Sequence, residues 1–373
     1  MISSRAMANA TSGNAAPRTA ALRRLVPHLA LAVACAACSQ EGAAKRTAAR
    51  GMVLYNEGRY AEALPILKQA REAGLKDGTL LYQLGYCREV VEGKPEPRRE
   101  TWREAEPVLA QEVSQAGGAT LERLYYLTVI QSDSGGFDTM TQYARQAVEQ
   151  FEKGPNPNAL GGEDWFRLGR LHDFLSEASQ AEAAYRRSVS AFTKAKGGVA
   201  SYRSLALARV ADYDLTAGHY PIAAEGFDEA LKLFPSNNQV KPFRHALALL
   251  AVRRYDDAIA RFGEDRDETA TESQYGGDLA RKAKAVAPLD DKDVDDSPIQ
   301  SLPDEVLSAR VREAAAAYRA ARVKNSYQPG DPLPAEVAVH QKRFVALLGE
   351  YFLRTKGMQE FTLKEGIADL VRR

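Results

Sequence analysis

The sequence predicts an all-α chain: about six helix–turn–helix units in tandem, followed by a separate C-terminal helical segment. Three observations predict it. Apolar residues recur at helical rather than alternating spacing, as in DWFRLGRLHDFLSEASQAEAAYRRS from Asp164 to Ser188, where Trp165, Leu168 and His172 precede Ala178, Ala181 and Tyr185. A related pattern returns along the chain, and two such short helices cannot bury a core without neighbours. The composition, with 27% charged and 45% hydrophobic residues, excludes collagen-like, generally disordered and membrane-embedded classes.

The elements follow in order. Residues 1–37 carry Arg5, Arg18, Arg23 and Arg24 but no acid, then the apolar run LVPHLALAVA and CAACSQ. This resembles a bacterial lipoprotein signal, with a basic start, an apolar stretch and small residues before a cysteine. The run is short against the ~20 residues that span a bilayer. The resemblance implies lipidation of Cys38, preceded by Ala36 and Ala37; cleavage before Cys35 is the alternative. Ser39 implies delivery to the outer membrane, with the chain lipid-anchored in the bacterial periplasm. Residues 38–48 read as a tether. With Cys38 as mature N-terminus, Cys87 is the one remaining thiol and no intramolecular disulfide can form. Losing four of 50 basic residues leaves 46 against 49 acidic, a net −3, with no electrostatic footprint for nucleic acid.

Residues 44–272 hold the repeats. Small residues at Gly51, Gly85, Thr128, Gly169, Ala211 and Ala246 are each followed by Ala63, Ala105, Met140, Ala181, Ala223 and Ala258, spaced 35, 41 or 42 residues apart. The longer spacings place insertions at VVEGKPEP, NPNALGG and near AKGGVASY. Tyr60, Trp102, Phe137, Tyr220 and Tyr255 are assigned to the wedge beside each turn, which Gly58, Gly135 and Gly218 close. The pattern resembles the tetratricopeptide repeat (TPR), a 34-residue helix–turn–helix unit. The resemblance implies a right-handed α-solenoid whose first helices line a groove for a partner peptide or helix. One inward slot then holds Ala48, Tyr82, Tyr125, Phe166, Ala208 and Phe243; the next holds Met52, Tyr86, Val129, Arg170, Asp212 and Leu247. Tyr82, Tyr86, Tyr125, Phe166, Arg170 and Phe243 are the candidate partner-binding residues, since aromatics and Arg dominate binding hot spots. The alternative is that these rings pack on neighbouring helices. Ala48 and Met52 stand where the family's carboxylate clamp has Lys and Asn, which disfavours that mode.

Residues 273–302 read as an acidic linker. Asp291, Asp293 and Asp295 have calcium-loop spacing, but Asp296 and Leu302 stand where such a loop needs Gly and Glu. Residues 303–373 read as a helical segment unlike the repeats. Its first helix presents Leu307, Val311, Ala314 and Tyr318, its second Phe344, Leu347, Leu348 and Phe352, and a third begins near Phe361. Capping the array is the first reading of this segment; filling the groove or docking a partner are the others.

No nucleophile motif, zinc-ligand cluster or phosphate loop is present, so the sequence implies no catalytic residue, cofactor or metal. His172 and His245 fall in repeat core positions. The expected function is an envelope-tethered scaffold that binds a protein partner in assembly of a cell-envelope complex. An oligosaccharide-binding outer-membrane lipoprotein is the second class, and a cell-wall-acting enzyme the remote third.

Overall fold

The computed structural model describes residues 41–152, 159–194, 200–266, 269–286, 299–327 and 332–355, and all regular structure among them is helical. The chain divides into two compact units, Met1–Ala119 and Thr120–Arg373.

In the first unit, α1 (41–56), α2 (Tyr60–Glu72), α3 (Gly78–Glu92) and α4 (Glu96–Ser114) form two successive hairpins. Ala63, Leu67 and Ala70 make a stripe on α2 with no exposed surface. Burying Leu67 alone is worth about 2 kcal/mol. Asp77 caps α3 by accepting from the Leu80 N–H at 2.8 Å. Helix α1 starts inside the segment read as a tether. Ala44 and Ala48 are buried there, because alanines four apart give α1 a small face for neighbouring helices. The VVEGKPEP insertion does not make a loop either. Its residues lengthen α3 and α4, and the extension is tied by Arg98 to Glu89 at 2.6 Å and Arg88 to Thr101 at 3.0 Å.

The second unit contains α5 (Leu121–Ser134), α6 (Phe137–Ala147), α7 (Gly162–Phe174), α8 (Ala178–Lys194), α9 (Ala200–Thr216), α10 (Tyr220–Leu233), α11 (Pro242–Ala251) and α12 (Tyr255–Glu264). These pair as hairpins. The second helix of each packs on the first helix of the next, while α5, α7, α9 and α11 also touch in sequence as one layer. Close approach within a hairpin depends on the small residue: a Cβ on Gly169 would lie 2.6 Å from the Tyr185 ring. Helix α6 ends in a single π-helical turn, Val148–Glu152, which carries Glu152 to His172.

Five of the hairpin turns share one backbone solution. Gly58, Gly135, Ser176, Gly218 and Arg253 all have positive φ, each two residues before its second helix. Phe137, assigned to a wedge, is instead 65% exposed; its turn has Gly136 as the residue before α6, and the ring projects from the helix start.

The acidic linker is also corrected. Residues Ala270–Ala285 form α13, with Leu279 and Ala280 fully buried. Acidic composition concealed a small face: a Cβ on Gly276 would lie 2.5 Å from Phe262, so the glycine lets α13 seat on α12. Asp265 is buried before the helix, accepting from Ser273 Oγ at 2.5 Å and Thr269 Oγ1 at 2.7 Å. The calcium-like aspartates lie outside the described residues, as do residues 1–40 with Cys35 and Cys38, and the third C-terminal helix.

Helices α14 (Asp304–Lys324) and α15 (Ala335–Thr355) form the C-terminal hairpin, and all eight of its named face residues are buried. Helix α15 lies on α11 and α13, and one continuous core runs from Leu207 to Phe352. Between them remains a cleft of about 170 Å³, lined by Leu250, Leu279, Val345 and Leu353 among others.

Candidate functional site: the first-helix face of the second unit

The six candidate residues divide by burial. Tyr82 stacks on Trp102 at 4.8 Å and 9°, and the indole N–H donates to the Tyr82 carbonyl at 2.9 Å. Phe166 is wedged between Tyr185 and Tyr202, with centroids 5.8 and 5.6 Å away. Phe243 meets Phe262 at 5.9 Å within the core that α15 completes. These three rings are packing residues rather than groove residues: each reaches the next helix of its own stack. Tyr86, Tyr125 and Arg170 keep partial exposure. Tyr86 belongs to the first unit, in an edge-to-face trio with Tyr55 and Tyr60.

In the second unit, Tyr125 and Arg170 stand in a polar row. Arg170, beside Tyr125, extends over the Phe174 ring at 5.2 Å and has Asp173 Oδ2 at 3.7 Å. Asp173 is the hub. Its Oδ2 accepts from Tyr185 OH at 2.5 Å and Arg209 Nη2 at 2.6 Å, and its Oδ1 from Tyr213 OH at 3.0 Å. One helix on, Arg244 pairs with the Asp212 carboxylate and reaches the Asp212 carbonyl at 3.1 Å and Thr216 Oγ1 at 3.0 Å. Burial, followed by the Asp173 charge, pushes the Tyr213 phenol up to about 12, so it stays a neutral donor.

Beneath this row the groups are structural. Arg167 is 5% exposed, paired with Glu122 at 3.0 Å and Asp164 at 3.4 Å, its guanidinium 5.5 Å from the Tyr202 centroid. Burial raises the Glu163 carboxyl, against the opposing charge of Arg167. His172 and His245 are buried as their positions predict. His172 contacts Glu177 at 2.7 Å and Glu152 at 2.8 Å through its two ring nitrogens. His245 faces Asp228 at 3.0 Å, and burial pulls its imidazole down to about 4. Cys87 is buried and free, its thiol pushed up to about 12 by desolvation, which makes it unreactive.

Sequence reasoning missed Asp173, Arg209, Tyr213 and Arg244. A signal was available for the arginines: Arg167, Arg209 and Arg244 each follow directly after a first-slot residue, Phe166, Ala208 and Phe243. That position points along the stack toward the preceding unit, where Asp173 and Asp212 receive the second and third of these arginines.

No family model matches the chain, and no curated protein matches it. Among solved structures, it is similar to the apo form of RapI, with a TM-score of 0.42 and 11% identity over 86% of this chain and 99% of that one. It is also similar to residues 1–338 of Acl4, the assembly chaperone of RpL4, with a TM-score of 0.30 and 18% identity over 65% of this chain and 96% of that one.

Proposed function

We propose that this chain is a scaffold that holds a protein partner on the first-helix face of its second unit, tethered to the bacterial outer membrane through Cys38. The observation that carries the reading is the row Tyr125, Arg170, Arg209, Tyr213 and Arg244. These are aromatic and arginine side chains, all partly exposed, with Arg209 and Tyr213 held by Asp173 and Arg244 by Asp212. Side chains already ordered lose little entropy when a partner arrives, and Tyr and Arg are the types that supply binding energy. Four first helices in contact present such groups on successive elements, which suits an extended or helical segment. The lipoprotein-like N-terminus supports an envelope address.

A photo-crosslinking residue placed at Tyr125, and separately at Tyr213, tests this in cells. The expected result is one envelope protein captured from both positions, and not from a control at exposed Val339 on α15. Equal capture at all three positions would sink the reading.

A further inference from the structure

The charge balance of the row specifies its partner further; this rests on the scaffold reading. Arg170, Arg209 and Arg244 come from α7, α9 and α11, with 29%, 24% and 23% of their side-chain surface exposed. Among the described residues, the carboxylates that pair with them are two, Asp173 and Asp212. Arg244 is matched by Asp212 and Thr216. Asp173 is consumed by Arg209 and two phenols, all within 3.0 Å, which leaves Arg170 at 3.7 Å, outside hydrogen-bonding distance. Arg170 and Arg209 are near enough for their charges to oppose each other. Two guanidiniums therefore share one saturated carboxylate.

We propose that an acidic peptide segment of the partner docks here, one of its carboxylates completing Arg170 and Arg209 beside the Tyr125 hydroxyl. A guanidinium offers five N–H donors in a planar fork that matches a carboxylate. The Tyr125 hydroxyl beside Arg170 can donate to the same carboxylate. In a half-buried site each such bond gains from reduced dielectric screening. The incoming carboxylate also relieves the repulsion between the two arginines. Basic groups spread over three successive helices fit a chain of acids better than a single ion, with Tyr125 and Tyr213 flanking its side chains.

Fluorescein-labelled hexaglutamate, titrated into the full-length protein with hexaglutamine and inorganic phosphate as comparators, tests the assignment. Hexaglutamate binds in preference to hexaglutamine, and weakens as salt rises. Arg170→Gln reduces its affinity about tenfold, equivalent to about 1.4 kcal/mol. Arg170→Lys keeps part of it, and Asp173→Asn tightens it by removing the competing carboxylate, an effect that a purely structural role would not produce. The proposal is overturned if hexaglutamine binds equally well, or if Arg170→Gln leaves affinity unchanged with its melting temperature intact. Phosphate competing as well as hexaglutamate would also overturn it, reducing the site to a general anion patch. A partner captured at Tyr125 through a segment without acids would overturn this inference and leave the scaffold reading standing.

Discussion

His245 shows how a residue's place in the stack sets its chemistry. The ring is 1% exposed, and desolvation holds it neutral down to about pH 4 despite Asp228 at 3.0 Å. In the unfolded chain the same group protonates at about 6.5. Its contribution to stability is therefore complete above pH 6.5 and is lost as pH falls toward 4, by about 3 kcal/mol in all. Urea denaturation across that range will show a slope that His245→Gln removes; parallel curves for the two proteins would contradict it. The sequence marked both buried histidines as core residues, because they stand in apolar slots of a periodic pattern. It assigned Tyr82, Phe166 and Phe243 to the groove for the same reason, and there it erred. Helical spacing defines a face, but whether a ring on that face meets solvent or the next helix depends on neighbours that spacing does not describe.

At the scale of the element, the turns are the most legible feature and also a source of strain. Gly58, Gly135 and Gly218 announced their turns, and Ser176 and Arg253 hold the same left-handed conformation at φ 60° and 63° without glycine. An L-residue there costs roughly 1 kcal/mol, partly offset by the greater unfolded-state freedom of glycine. Ser176 is exposed, so Ser176→Gly removes the strain without touching the core. A gain of about 0.5 kcal/mol and a higher melting temperature are expected; a lower one would show that the turn is not strained. Helix α13 is the converse case. Its glycine pair and acids read as a linker, yet Gly276 is what allows Phe262 to pack against it.

Across the whole molecule, the C-terminal hairpin determines which part of the first-helix layer stays open. Helix α15 lies on α11, and Leu250 and Leu247 share its core, so the apolar face of α11 is covered while Tyr125, Arg170, Arg209 and Arg244 keep exposure. Helix α15, paired with α14, thus covers apolar faces of α11 and α13 that a repeat stack would otherwise expose. The proposed membrane tether is a separate matter, argued from the N-terminal signal pattern. Replacing Cys38 by Ser is expected to move the protein from the membrane pellet to the soluble periplasmic fraction and to abolish labelling by a fatty-acid analogue. Persistent labelling would transfer the anchor to Cys35.

What the sequence alone determined is local and periodic: helix positions, turn glycines, small residues at close approaches, the buried face of the C-terminal hairpin. These follow from contacts within one unit or its nearest neighbour, so they repeat and can be read from spacing. The tertiary structure decided which aromatics are buried, that α13 is a helix of the stack, and that Asp173 gathers Arg170, Arg209, Tyr185 and Tyr213. The physical reason is that a carboxylate hub depends on side chains from α7, α8 and α9 converging on one point. That convergence is set by the angle and offset between helices, and no single repeat encodes it.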